Sequence, residues 1–225
     1  MAELRGEEAR HLSRVLRAEP GQHYELSDNT AAYLAEIVET RPDRIVFRVL
    51  EPIEAAPLPV QLDLYAALIK FDHFEWMIEK ATELGVARIY PVETARSEKG
   101  LLDASRKRSE RWVKIARESS QQSRRVQAPE ILPGVRFDPR LATGADLRFF
   151  LDEAVAPTLI ASLPEVRLQH ARIALLVGPE GGWTDTERYA AAAAGWHAAS
   201  LSPLILRAET AACAALAILL NAWMS

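Results

Sequence analysis

LLVGPEGGWTDTE, residues 175–187, is the stretch that decides the fold. Its first residues complete an apolar run, 173–177, which predicts a buried strand. A glycine-rich loop, 178–182, follows, and Thr184 and Glu187 then have the Thr-x-x-Glu spacing of a capping box, which predicts the start of a helix. A strand that ends at a glycine loop opening a helix typically presents its backbone to a ligand at the carboxyl edge of an α/β sheet.

The spacing of this loop constrains the kind of ligand. It matches neither G-x-G-x-x-G nor G-x-x-x-x-G-K-[ST], since no lysine follows Gly182. Glu180 lies inside the loop, where a carboxylate would repel a triphosphate. Exposed amides and one acid suit a neutral or cationic nucleoside better, such as S-adenosylmethionine, and disfavour a phosphate-binding α/β enzyme. A tight turn without a ligand remains an equally weighted alternative.

A second stretch, LSPLILRAETAACAALAILL at residues 201–220, follows one helix later. Together GPEGG and ILRAETA resemble the paired motifs of the ribosomal RNA small subunit methyltransferase E family, which belongs to the SPOUT class. Residues 67–86 and 117–125 resemble two further family blocks. The resemblance implies S-adenosylmethionine-dependent methylation of uridine N3 in 16S rRNA of the small ribosomal subunit, at the family target uridine 1498. It also implies a homodimer.

Several positions depart from the family pattern within these blocks. The departures are Phe71 for glycine, His73 where lysine is frequent, Gln121 for glutamate, Arg124 for glycine, Ser202 for glycine and Leu204 for arginine. They leave open a catalytically inactive, RNA-binding relative. The alternative among enzymes is a SPOUT methyltransferase that acts on tRNA or on another rRNA base.

Composition is that of an ordinary globular protein, with 225 residues and a formal net charge of -4. No apolar run reaches the length of a membrane span, and the amino-terminal residues do not resemble a secretion signal, so we expect a cytoplasmic protein. Cys213 is the single cysteine, which excludes an internal disulfide. The five histidines lack ligand-like spacing, and we expect no metal.

Residues 1–57 form a β-rich segment of their own. A helix at 7–16, a hairpin over 23–38 and a strand at 44–50 are predicted, followed by a proline-rich linker. Residues 10–17 resemble part of the family's PUA-like RNA-binding barrel, which implies RNA contacts by Arg10, Arg14 and Arg17. An ordinary amphipathic helix is the equal alternative. The strand that usually precedes this helix in the family is missing or very short here.

Residues 58–225 alternate between predicted strands and helices, which indicates a mostly parallel sheet covered by helices. The Asp72-x-x-Glu75 pattern predicts the start of one of these helices, and another is predicted over 105–122. The resemblance assigns this region to a SPOUT methyltransferase domain with a carboxy-terminal trefoil knot over about residues 147–225. Residues 96–125 carry ten basic side chains against four acidic ones. Such a run is usually a solvated helix face, but contact with RNA phosphates is the second interpretation. At its end, Arg124 and Arg125 are the candidate phosphate contacts.

Two loops and the start of the last helix are the candidate site. The cofactor is expected to contact Leu176, Val177, Gly178, Glu180, Gly181, Gly182, Leu201, Ser202, Leu204 and Leu206. The candidate catalytic residues are Arg207, a cation beside the charge that develops on the uracil oxygens, and Glu209, a polar group next to it. A surface salt bridge for Arg207 and a favourable helix-dipole position for Glu209 are the alternatives, and Glu180 is the alternative carboxylate.

Overall fold

The computed structural model describes residues 1–54, 56–154 and 156–224. The chain divides into two compact units. The first comprises residues 1–57 with 125–127, and the second comprises residues 58–124 and 128–225. The sequence carried no sign that residues 125–127 belong to the first unit. One contact within that unit involves them, since Ser27 Oγ donates a hydrogen bond to the carbonyl of Val126 at 2.6 Å.

The first unit is built on an antiparallel sheet with the strand order β1-β4-β3-β2 among the described residues. Its elements are β1 (Ala2–Arg5), α1 (Gly6–Arg10) continuing into a π-helical turn (His11–Val15), β2 (His23–Ser27), β3 (Ala32–Arg41) and β4 (Arg44–Ile53). Ala9 of α1 packs with Ile37, Ile45 and Phe47 of the sheet in a small core. The strand expected to be missing or very short is present as the four-residue β1.

The second unit alternates strands and helices along the chain. Its elements are β5 (Val60–Ala67), α2 (Phe71–Glu83), β6 (Val86–Glu93), α3 (Leu101–Ser105), α4 (Ser109–Gln122), β7 (Glu130–Ile131), β8 (Val135–Arg136), β9 (Leu147–Leu151), a 3-10 turn (Ile160–Ser162), β10 (Ala171–Val177), α5 (Asp185–Ala193), β11 (His197–Ala199) and α6 (Ala208–Met224). The strands form one sheet in the order β11-β9-β10-β5-β6-β7, with β8 also paired to β6. Every pairing is parallel, which confirms the predicted α/β class.

Successive residues of the central strands point to opposite faces of this sheet. Leu175 faces a core that also receives Trp112 of α4 and Leu216 of α6. The next residue, Leu176, faces a second core with Trp183 and Trp196. Because both faces are covered, the central strands are apolar almost throughout, as parallel strands usually are. Among the described residues no helix combines the length and apolar character needed to cross a membrane.

Helix starts were predicted with mixed success. The capping box of α5 is confirmed, since Thr184 accepts from the backbone of Glu187 and the Glu187 side chain accepts from the Thr184 backbone. The Asp72-x-x-Glu75 pattern was wrong as a cap, because α2 begins at Phe71 after Lys70, whose side chain makes no capping bond. The helix predicted over 105–122 is α4, which begins four residues later than predicted, at Ser109, and ends at Gln122. The short helix α3, Leu101–Ser105, precedes it and was not predicted.

Candidate functional site

A cleft lies at the carboxyl ends of three neighbouring parallel strands, β9, β10 and β11. It is open to solvent and is lined by residues from the ends of these strands and from the start of the last helix. The crevice outside the carboxyl ends of strands is also where open α/β sheets bind ligands.

The cleft brings together both loops that the sequence singled out. Eight of the ten predicted cofactor contacts line it, namely Val177, Gly178, Glu180, Gly182, Leu201, Ser202, Leu204 and Leu206. The other two do not. Leu176 is buried in the core on the opposite side from Leu175, and Gly181 is turned toward Arg96. Strand alternation explains the first of these exceptions, since adjacent residues cannot share a face.

The glycine loop is packed on several sides by the protein itself. A Cβ atom on Gly178 would lie 3.0 Å from the ring of Trp183, and the Trp183 ring nitrogen donates to the carbonyl of Leu151 at 2.8 Å. Gly182 has φ +68°, a left-handed conformation that favours glycine. The guanidinium of Arg96 donates to the carbonyl of Gly181 at 2.6 Å. The loop therefore has one well-supported conformation before any ligand is considered.

Glu187 connects this loop to a second loop, the one after β6. Its Oε2 accepts from the backbone and hydroxyl of Thr184 at 3.0 and 2.8 Å. Its Oε1 accepts from the backbone N–H of Ala95 at 2.8 Å. A single buried carboxylate thus caps α5 and also holds the loop that carries Arg96.

The loop after β9 forms a wall of the cleft that sequence reasoning missed. It contributes Leu151, Asp152 and Glu153, and Trp183 was missed as well. The only available signal was general, namely that polar residues directly after a buried strand lie at the carboxyl edge of the sheet. Which strand lies next to β10 is decided by pairing across the sheet, and no local pattern encodes it.

The charge of the cleft is acidic. The charged residues that line it among the described part of the chain are Asp152, Glu153 and Glu180, with no lysine or arginine among them. Burial acts to raise the pKa of Asp152, but the hydrogen bonds from Arg188 at 2.7 and 3.0 Å and from backbone N–H groups outweigh it, and the net pKa is lowered. Asp152 is therefore ionised at neutral pH. Arg188 compensates the charge of Asp152, so Glu153 and Glu180 are the lining carboxylates that attract a cation and repel phosphate groups.

The candidate catalytic residues lie at the start of α6, next to the cleft. Arg207 is flanked in the chain by Leu206 and Ala208, which both line the cleft, and its side chain is 73% exposed. Glu209 is the opposite case, with only 8% of its side chain exposed. Its Oε1 lies 4.0 Å from Arg207 Nη1 and 3.0 Å from His73 Nδ1. No pattern in the sequence predicted that His73 would lie next to Glu209.

The chain has clear relatives among known proteins. Residues 56–220 match a family model described as an RNA methyltransferase domain. Ribosomal RNA small subunit methyltransferase E of Bacillus subtilis is 30% identical, over 92% of this chain and 85% of the relative. The Mycobacterium bovis protein of the same name is 32% identical, over 96% of this chain and 84% of the relative.

A solved structure agrees with these relatives. The ribosomal RNA small subunit methyltransferase E of Neisseria gonorrhoeae, bound to S-adenosyl methionine, superposes with a TM-score of 0.87. It is 29% identical, and the match covers 99% of this chain and 92% of that one. The chain belongs to the ribosomal RNA small subunit methyltransferase E family. The resemblance inferred from GPEGG and ILRAETA is thereby confirmed, and with it membership of a family of RNA methyltransferases.

The loop that contains Ser202 and Leu204 faces solvent. Ser202 accepts a hydrogen bond from the backbone N–H of Leu204 at 3.0 Å through its hydroxyl. Leu204 is 73% exposed, and the next residue, Ile205, is 85% exposed. At these two positions this wall of the cleft is therefore apolar and solvent-facing.

The predicted RNA contacts are mostly exposed side chains. Arg10 ends α1, Arg14 lies in the π-helical turn, and Arg17 follows with φ 51°, a backbone conformation that residues other than glycine rarely adopt. Arg124 is exposed and has φ 56°. Arg125 is partly buried, so a phosphate has less access to it than to the other four. Across the described residues, no group of three or more metal-ligating side chains lies together.

Proposed function

We propose that this protein methylates uridine N3 in 16S rRNA of the small ribosomal subunit, with S-adenosylmethionine as the methyl donor and uridine 1498 as the target. The observation that carries the proposal is the cleft in which both family motifs meet, at the carboxyl edge of a parallel sheet. The family membership supports rRNA methylation in general. The choice of N3 rests on the resemblance and on the chemistry that Arg207 offers.

The acidic cleft fits this cofactor better than it fits a nucleotide. S-adenosylmethionine supplies a methyl group bound to a positively charged sulfur, and it carries no phosphate. Glu153 and Glu180 would favour its positive charges, while Val177 and Leu206 offer apolar surface to an adenine ring. The glycine loop brings backbone groups close to the cleft. A relative whose structure was solved with S-adenosyl methionine has the same fold over nearly its whole length.

Arg207 is proposed to act on the uracil ring. Removing the N3 proton places negative charge on O2 and O4, and a guanidinium directed at either oxygen stabilises that charge. The exposed Arg207 side chain can reach a substrate that enters from solvent. Glu209 is nearly buried and lies 3.0 Å from His73 Nδ1, so its proposed role is to orient Arg207, leaving Glu180 or a water to accept the proton.

The first unit is proposed to be a PUA-like RNA-binding module. The exposed arginines Arg10, Arg14 and Arg17, with Arg124 and Arg125 later in the chain, would contact phosphates and so position the RNA without reading its sequence. The positive φ of Arg17 is consistent with this, because such conformations are concentrated at functional sites. The enzyme would work in the cytoplasm, where its rRNA substrate is found.

We also propose the carboxy-terminal knot and the homodimer that the resemblance implies. The knot rests on the family resemblance. The homodimer is supported by exposed apolar side chains, above all Leu204 and Ile205. Sedimentation of the purified protein at several concentrations would test the dimer.

Cofactor binding is the first test. Calorimetric titration with S-adenosylmethionine is expected to show binding to the unmodified protein. Ala211→Trp, at a cleft-lining position of α6, should abolish it, while Ala192→Trp, at an exposed position of α5, should leave it unchanged. Equal binding by all three proteins would move the cofactor away from this cleft, and a folded protein that binds nothing would contradict the proposal.

Methylation is the second test. Small-subunit RNA and intact small subunits from a strain lacking the gene would be incubated with the protein and the cofactor. A methyl group on N3 blocks base pairing, so reverse transcription should stop at the modified nucleotide. A stop at another uridine would revise the target. A modified tRNA or a different base would favour another SPOUT methyltransferase, and cofactor-independent RNA binding without methylation would favour the inactive relative.

A further inference from the structure

His73 lies in the first turn of α2, the helix that follows β5. β5 is the neighbour of β10 in the sheet and runs parallel to it. The turn after β5 therefore belongs to the same carboxyl edge as the glycine loop. His73 thus comes from a fourth strand–helix connection, separate from the three loops that line the cleft.

The carboxylate of Glu209 has two basic side chains near it, those of His73 and Arg207. Its side chain is 8% exposed, and a nearly buried carboxylate without a partner is costly. His73 Nδ1 lies 3.0 Å from Oε1, whereas Arg207 Nη1 is 4.0 Å from the same atom, beyond hydrogen-bond distance. An ionised carboxylate only accepts hydrogen bonds, so across this 3.0 Å contact Nδ1 of His73 is the atom able to donate. Asp72 is the other charged partner of the ring, with Oδ2 3.8 Å from Nε2.

The three side chains meet at one atom, Glu209 Oε1, which lies 3.0 Å from His73 Nδ1 and 4.0 Å from Arg207 Nη1. The His73 side chain is 34% exposed and the Arg207 side chain is 73% exposed, whereas Glu209 is nearly buried. Long arginine side chains lose considerable conformational entropy when they are held in one place. A carboxylate that is itself fixed gives such a side chain a defined electrostatic anchor, whereas a mobile carboxylate does not.

We infer that His73 is a positioning residue for methyl transfer: it fixes Glu209 at the start of α6, and Glu209 in turn directs Arg207 toward the uracil. The inference rests on the proposed function, because only that function gives Arg207 a substrate. It assigns His73 no contact with the cofactor or with the RNA. Its loss should therefore act on the reaction step, with little effect on either binding step.

The kinetic test compares His73→Ala, His73→Lys and a control, His197→Ala, which alters an exposed histidine at the start of β11. His73→Ala should lower kcat about 10- to 100-fold, since misplacement of a catalytic group by about 1 Å can cost that much. KM for RNA and Kd for S-adenosylmethionine should stay within about twofold, in contrast to a general loss of structure. His73→Lys should recover most of kcat, because an ammonium also donates to a carboxylate.

A second test needs neither cofactor nor RNA. Urea unfolding of His73→Ala, Glu209→Ala and the double variant forms a double-mutant cycle. The double variant should lose less stability than the sum of the single variants, while the corresponding cycle of His197→Ala with Glu209→Ala should be additive. Additivity in the first cycle would overturn the contact itself.

The two tests separate this inference from the proposed function. An active enzyme whose kcat is unchanged in His73→Ala would overturn the positioning role and leave the proposed function intact. A protein that neither binds S-adenosylmethionine nor methylates RNA would overturn both, even if the cycle showed coupling. Coupling together with the loss of kcat, and its recovery in His73→Lys, is the result that we expect.

Discussion

Two walls of the cleft are held in very different ways. The glycine-loop wall is fixed by the Arg96 bond to the Gly181 carbonyl, by the Trp183 ring against Gly178, and by the shared carboxylate of Glu187. All of these contacts are made within the protein and need no ligand. This wall is therefore formed in advance, which lowers the entropic cost of binding.

The opposite wall, residues 201–207, has little such support. Its hydrogen bonds among the described residues include one from the Leu204 backbone N–H to Ser202 Oγ and one from the Ala211 backbone N–H to the Arg207 carbonyl. Leu204 and Ile205 expose most of their apolar side chains. We therefore expect the glycine-loop wall to fix the position of the ligand. Residues 201–207 are expected to change conformation when a ligand, an RNA or a second copy binds.

Glu187→Ala should have the largest effect on stability. It removes a buried carboxylate that completes the cap of α5 and accepts from the backbone N–H of Ala95, so we expect a loss of about 2–4 kcal/mol. Urea unfolding measures it, and Glu187→Gln, which keeps one acceptor oxygen, should lose less. A loss below about 1 kcal/mol would show that the glycine-loop wall does not depend on this carboxylate.

Gly178→Val should come next, and it tests packing instead of hydrogen bonding. The new side chain would overlap the Trp183 ring, which cannot move freely because its nitrogen is bonded to Leu151, so we expect a loss of about 1–3 kcal/mol. Affinity for S-adenosylmethionine should fall at least about tenfold, on the order of 1.4 kcal/mol. Unchanged unfolding and unchanged calorimetric binding would mean that this wall adapts as the other does.

Arg188→Gln should reduce stability by about 1–2 kcal/mol at neutral pH, because it removes hydrogen bonds to an ionised Asp152. The pKa of Asp152 is lowered in the folded protein, so its contribution is complete above the unfolded pKa of roughly 4. That contribution is lost as the pH falls through the folded value. Unfolding measured from pH 7 to pH 2.5 should therefore show the two proteins converging in acid. A constant difference would assign the effect to packing.

The double change of Leu204→Ser and Ile205→Ser should have the smallest effect on stability, within about 0.5 kcal/mol, since both side chains are already exposed. If this wall adapts to a partner, the same variant should dissociate more readily in sedimentation, or bind the cofactor or RNA more weakly. A large loss of stability would show that the two walls do not differ as described.

The sequence predicted most of the elements that position the site. The capping box of Thr184 and Glu187 and the strand before the glycine loop are confirmed, with β10 beginning two residues earlier than predicted. These succeeded because capping, apolar runs and glycine loops are properties of short segments. The two-residue strands β7 and β8 went unpredicted, because such short elements carry no period of their own.

Other parts of the site follow from contacts between residues far apart in the chain. Asp152 and Glu153 line the cleft because β9 pairs with β10. His73 and Glu209, separated by most of the second unit, meet because α2 and α6 cover the same face of the sheet. Arg96 and Gly181 are also far apart in the chain, and a hydrogen bond joins them.

By itself, the sequence determined the α/β class, the glycine loop, the start of α5 and the family, since each is encoded in residues that are close along the chain. The tertiary structure alone decided that the cleft is acidic, that Leu176 and Gly181 are turned away from it, and that Glu209 is held by His73. The physical reason is that strand order and helix packing choose the neighbours of each side chain. No local pattern of residues records that choice.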